Sequence, residues 1–386
     1  MSAVELKGIA WNHTRGFLPV VATAQRYEEL HPEVRIIWEK RSLQAFADMP
    51  MNELAARYDL IVMDHPHTSM AASQGLLLPF NEWLSPAFLD DQANNSVGQS
   101  HVSYQFKGKQ WTLVTDAAAP VSTWRPDLVE KYTISLPQTW EQLLDLAKSG
   151  YVSLAAYPID LLMHTYMLVE ALGHPPFSTE EGIGPEELVA VALEHLRELT
   201  SYCEKECFER NPIMTAEFMA SEAGERRATY CPFAYSYSNY SRLGYAQRVL
   251  HAGDLVSFEG KLLRSTLGGA GLAVSAATKQ PEHCMDYCRF SASSGIQRGI
   301  YFDAGGQPGH RSAWLDIELN RRSSNFFAAT LPVLDRAICR PQHLGYMRFQ
   351  DAASPLAHRA VRGQLKSKEA ARKLRQVWLT SNSVDH

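Results

Sequence analysis

Gly108-Lys109-Gln110-Trp111-Thr112-Leu113-Val114-Thr115-Asp116, then Trp124-Arg125-Pro126-Asp127-Leu128, then Leu136-Pro137-Gln138-Thr139-Trp140-Glu141-Gln142-Leu143 is the stretch on which the reading of this chain turns. Its last part holds a helix start in purely local chemistry. Pro137 has no N–H to continue a preceding segment and so stops it. Thr139 can cap the next helix with its side-chain oxygen, and Gln142, three residues on, completes a capping box. The spacing predicts a helix beginning near Trp140.

Upstream, the first hundred residues alternate strand and helix. Leu6–Trp11 is an apolar strand, and Phe17, Val20, Val21, Ala24 and Tyr27 follow at helical spacing until His31-Pro32 ends the helix. Val34–Trp38 and Asp59–Met63 are the next strands, with a helix over Met51–Arg57 between them. A βαβαβ opening of this kind implies an α/β fold with a mostly parallel sheet flanked by helices. Ligands of such sheets bind beyond the carboxyl ends of the strands. Further along, Val152–Ala156 is a candidate strand and Pro185–Thr200 a long amphipathic helix. Thr215–Glu222 leads into a strand over Ala228–Cys231, and Pro281–Ser291 is another helix.

The order of motifs in the opening stretch resembles that of bacterial solute-binding proteins that serve ABC transporters for sugars and similar solutes. In that family a G-K-x-W/Y strand is followed by a strand-turn ending in D/E-L and then by a P-x-T-W-x-E-L helix start. Gly75-Leu-Leu-Leu-Pro-Phe80, Leu267-Gly268-Gly269-Ala270-Gly271-Leu272-Ala273-Val274-Ser275 and Gly305-Gly306-Gln307-Pro308 continue the likeness, which runs from about Leu6 to Ala313. It implies a two-lobed, periplasmic-binding-protein-like α/β fold of the second type, each lobe a mostly parallel sheet flanked by helices. On this reading residues 1–116 begin the first lobe and 117–266 form the second, with a crossing near 116–122. Residues 267–386 return partly to the first lobe and end in helices. One interlobe cleft that closes by a hinge is the expected site.

Candidate site residues come from the strand ends. Trp11-Asn12-His13-Thr14-Arg15-Gly16 joins the first strand to its helix, where free N–H groups and the helix dipole favour a negative or oxygen-rich group. Alternatively, Thr14 only caps the helix and Arg15 stands in solvent. Asp64-His65-Pro66-His67 follows the third strand in the same topological place, so His13, Asp64, His65 and His67 are expected on one edge. Imidazoles and a carboxylate can hold a metal, but no spacing rule demands one here, and hydrogen bonds to an organic ligand are the expectation. If neutral imidazole is the acceptor, affinity falls between about pH 7.5 and 5.5.

Tyr230–Tyr240 packs five aromatic rings into eleven residues, interleaved with Pro, Ser and Asn, and reads as a ligand-facing loop. Phe233 and Tyr235 are its candidates. Asp116 and the Gly268-Gly269 turn complete the expected ligand set. His164, alone in an apolar helix, reads as a core residue. The C-x3-C pairs Cys203/Cys207 and Cys284/Cys288 on expected helices read as packing.

Composition narrows the function classes. At 386 residues the chain is long enough for two domains. A net charge of −5 supplies no basic stripe for nucleic acid. No run of about 18 apolar residues spans a membrane. The basic run Lys366–Arg375 has Ala370, Ala371 and Leu374 at helical spacing and reads as the solvated side of an amphipathic helix. No signal-peptide pattern precedes the first strand, so a cytoplasmic location is expected for the chain as written, and a periplasmic or surface one if a signal has been removed. No nucleophile elbow, phosphate loop or H-E-x-x-H occurs, and no cofactor is expected. The leading expectation is a binding protein for a small solute, carbohydrate-like, aromatic or carboxylate, with a transporter permease as partner. A cytoplasmic enzyme or a ligand sensor on the same fold is the alternative.

Overall fold

The hydrophobic runs near the N-terminus become strands with their helices on alternate sides. The computed structural model describes residues 4–43 and 49–382. Its main strands are β1 (Val4–Trp11), β2 (Val34–Arg41), β3 (Leu60–Met63), β4 (Leu113–Ala118), β5 (Pro120–Trp124), β6 (Tyr230–Tyr235), β7 (His251–Gly253) and β8 (Gly268–Val274). Helices α1 (Thr14–Leu30), α2 (Trp140–Lys148), α3 (Pro158–Ala171) and α4 (Pro281–Ala292) pack against these strands or cover the residues of interest. The chain divides into two units. The first is Met1–Ala118 with Leu267–Ser323, and the second is Ala119–Thr266 with Ser324–His386.

The first unit holds a five-stranded sheet in the order β2-β1-β3-β8-β4. β1 pairs with β2 and β3 in parallel, while β8 is antiparallel to both β3 and β4. Four strands therefore point one way and only the returning β8 opposes them. Side-chain alternation builds two cores. Leu60 and Val62 of β3 pack with Val20, Ala24 and Tyr27 of α1 and with Tyr287 and Cys288 of α4. Ile61 and Met63 face the other way, onto Met51, Leu54 and Ala55 of the helix Met51–Arg57. Because β1, β3 and β4 run in the same direction, the segments that follow β1 and β3 leave the sheet on one edge, where Asp116 of β4 also stands.

The second unit differs from the expected mostly parallel sheet. Its strands are ordered β6-β5-β7, and both pairings are antiparallel. Of the expected strand Val152–Ala156 only Val152 pairs, as a parallel bridge to Tyr230. The chain is then drawn off the sheet, since Ala156 N donates to the Cys207 carbonyl and Pro158 opens α3. The aromatic stretch is a strand as far as Tyr235, against its reading as a loop. Pro232 is tolerated because the β5–β6 register shifts between Val121 and Thr123, so that Pro232 and Phe233 together oppose Ser122. A bulge of this kind asks no ladder N–H of the proline.

The helix at Trp140 begins where expected: Thr139 Oγ1 accepts from Gln142 N at 3.3 Å. Gln142 Oε1 reaches back to Gln138 N at 2.7 Å, one residue beyond the N-cap N–H of the regular box. In the helix Ser367–Asn382, Ala370, Ala371, Leu374 and Trp378 are buried, and Lys368, Arg372 and Arg375 face solvent. Cys203 lies beyond the helix Glu186–Ser201 and Cys207 on a 3-10 turn, so that pair does not share a helix. Cys284 and Cys288 do share α4, both buried, and burial pushes the Cys284 thiol up to about 12. Among the described residues no helix is long and apolar enough to cross a membrane.

Candidate functional site

Trp11 ends β1 and lays its ring on the first turn of α1. A Cβ at Gly16 would stand 2.3 Å from that ring, so only glycine allows the approach. The ring is 5% exposed and serves as packing. Asn12 is exposed, and its backbone N–H donates to the Arg41 carbonyl at 2.7 Å. His13, not Thr14, caps α1: its backbone is extended (φ −151°, ψ 153°) and its Nδ1 accepts from Arg15 N at 3.0 Å. An imidazole that accepts at Nδ1 is neutral and carries its proton on Nε2. Burial, aided by the nearby Arg15 cation, lowers its pKa to about 4. The expected loss of affinity between about pH 7.5 and 5.5 therefore cannot come from His13.

Arg15 is neither in solvent nor open to a ligand carboxylate. Its Nε donates to Asp116 Oδ2 at 2.7 Å and its Nη2 to Asp116 Oδ1 at 2.5 Å, with the side chains 5% and 1% exposed. Buried beside its counter-charge, the guanidinium offers little net attraction to a second carboxylate. Burial raises the Asp116 carboxyl above its ordinary range and Asp64 adds to the effect, while Arg15 and the Ala270 N–H pull it down. Tyr301, 2% exposed, lies beside the pair and bonds to Thr115.

Asp64 caps the short turn His65–His67, its Oδ1 accepting from His65 N at 2.8 Å. His65 is 1% exposed, with Nδ1 3.2 Å from the same oxygen and its ring edge-on to Tyr104. His67 is 7% exposed. The two loops thus meet the sheet on one edge and approach each other electrically through Asp116, but the histidines are mostly built into the wall. Gly268 and Gly269 are ladder residues opposite Ala118 and Ala117, not a ligand-facing turn. Gly269 has φ +113°, and a Cβ there would lie 2.4 Å from the Asp116 carbonyl oxygen, so close backbone approach explains the glycine.

In the second unit Phe233 is 1% exposed, stacked with Trp140 (6.3 Å, 10°) and meeting the His164 ring at 4.5 Å. Helices α2 and α3 cover it, which removes it from the ligand set. Tyr235, partly exposed, shares a hydrogen bond of 3.0 Å with Thr266 Oγ1. It lines a narrow hollow of only about 10 Å³ with Ser236, Tyr237, Tyr240, Thr215 and Phe326. Thr215 Oγ1 is buried there without a hydrogen-bond partner. The sequence marks Asn211-Pro212 as the start of that residue's helix, but nothing local marks what Thr215 faces. Among the described residues no group of three or more His, Cys, Asp or Glu side chains is placed to hold a metal ion.

Residues 10–184 match the family model described as bacterial extracellular solute-binding protein. Among solved structures the chain is similar to maltose-bound MalE3 of T. maritima, at 16% identity over 97% of this chain and 99% of that one, with a TM-score of 0.83. A ribitol-bound ABC transporter solute-binding protein from Agrobacterium radiobacter K84 matches at 17% identity over 98% and 99%, TM-score 0.82. The GacH receptor of Streptomyces glaucescens, solved unliganded and with acarbose, matches at 15% over 100% of both chains, TM-score 0.81. The fold is that of the two-lobed maltose-binding-type proteins.

Proposed function

We propose that this chain, whose residues 10–184 match the family model of bacterial extracellular solute-binding proteins, acts as such a protein and binds an uncharged polyhydroxylated solute for an ABC transporter. The observation that carries the reading is the internal matching of charge on the first unit's edge. Arg15 is spent on Asp116 and His13 is neutral, so the edge favours hydroxyls over a carboxylate. On the second unit the partly exposed ring of Tyr235 is suited to the apolar face of a sugar or polyol. The proposed contacts are, within the first unit, Asn12, His13 and Asp64 and, within the second taken by itself, Tyr235. The partner is a permease, and the place of work is outside the cytoplasmic membrane.

Native mass spectrometry of the protein as purified identifies a retained solute, and calorimetry against maltose, ribitol and gluconate ranks the classes. A neutral compound is expected to bind and gluconate not. Tyr235→Ala should then weaken binding by about 1–3 kcal/mol, the scale of a lost aromatic contact. Tight binding of gluconate with none of the neutral compounds overturns the reading.

A further inference from the structure

We propose that Asp116 is a positioning residue: by holding Arg15 with two hydrogen bonds it fixes the first turn of α1, and with it the orientation and tautomer of His13. The pair is set across the sheet. Arg15 is the second residue of α1, which follows β1, whereas Asp116 belongs to β4, and β3 and β8 lie between those strands in the sheet. A contact between residues 101 apart in sequence thus ties one loop of the edge to its far side. Stability alone does not account for it. Removing two charges from water is costly, and apolar residues of similar volume often replace a buried ion pair without loss. What two parallel bonds of a planar fork supply is geometry.

Asp116 is itself held in place. The Ala270 N–H bonds to its carboxylate. Gly269 lets the β8 backbone close on the Asp116 carbonyl, and buried Tyr301 flanks the pair. At the other end the Arg15 backbone N–H is the donor that His13 Nδ1 accepts. Moving the first turn breaks this cap and frees the imidazole to exchange tautomers. The charged group that acts on the imidazole is Arg15; Asp116 and Tyr301 surround Arg15 in turn, and Asp64 acts on Asp116.

The test uses full-length protein with ¹⁵N-labelled histidine, without solute. In the parent, His13 should show a bare Nδ1 and a protonated Nε2 throughout about pH 5 to 8. Asp116→Asn leaves Arg15 unpaired in the interior and can fail to fold, so the working variant is the double Arg15→Met, Asp116→Leu, checked for cooperative unfolding. It should show mixed His13 tautomers and a titration midpoint moved toward the ordinary value of about 6.5. Asp116→Glu, which keeps the charge, should lie nearer the parent. A folded double variant with the parent's His13 spectrum overturns the proposal. The affinity arm alone rests on the proposed function: binding should weaken about fivefold or more, the scale of one lost hydrogen bond. Altered His13 signals with unchanged affinity uphold the positioning role and refute His13 as a solute contact.

Discussion

Replacing His164 by Leu should remove most of the second unit's sensitivity to mild acid. His164 lies in the middle of α3, 1% exposed, with its Nδ1 lacking a hydrogen-bond partner and its ring against Phe233. Burial lowers its pKa from 6.5 to about 3. The folded-state value is depressed, so the unfolded chain binds the proton more tightly. Stability is complete above the unfolded pKa and is lost as the pH falls below it. Each pH unit in that window costs about 1.4 kcal/mol, so the fall from 6.5 to 5 removes about 2 kcal/mol from the parent. That figure holds wherever below 5 the folded pKa lies. Leu is close in volume and cannot be protonated, so the share of the loss that comes from His164 should vanish, leaving the smaller shares of His251 and His358. Relief of the unpaired Nδ1 adds a gain of about 1 kcal/mol that is the same at every pH and is separated from the first effect by its flatness. Urea unfolding at about pH 7.5 and 5 gives the free energies from midpoint and slope. Far-UV dichroism and tryptophan fluorescence serve as probes, the latter including Trp140, which stacks on the same Phe233. If parent and variant lose equal stability between the two pH values, His164 is not held neutral by burial and the reasoning fails.

Asp160 should act in the opposite sense. It is 2% exposed, its Oδ2 has no partner, and burial raises its carboxyl well above the usual range, so stability is complete below about 3.8 and is lost as the pH rises. Asp160→Asn should exceed the parent in stability by a margin that widens with pH, and equal urea midpoints at pH about 7.5 would contradict this. Gly269→Ala should destabilise the first unit by about 1–3 kcal/mol, because it combines a strained φ with a clash against the Asp116 carbonyl; an unchanged thermal midpoint would show that the strand relaxes freely.

Local chemistry made much of the chain legible. The helix Met51–Arg57 and the start of α2 at Trp140 rest on caps and prolines within a few residues. The motif order carried the fold, since each motif marks a strand end or helix start and their sequence in the chain is the topology. The misreadings share one cause. Tyr230–Tyr235 has the composition of a loop, and only its pairing with β5 and a bulge at Pro232 make it a strand. Phe233 looked like a stacking surface until α2 and α3 covered it. Arg15 looked like an anion anchor until Asp116, 101 residues away, took both prongs of its fork. Short-range signals such as caps, periodicity and proline fix what a segment is, because the groups that satisfy them are neighbours in the chain. The charge a side chain keeps, and whether it faces solvent or core, depend on partners brought by other strands, and those partners exist only once the sheet has formed.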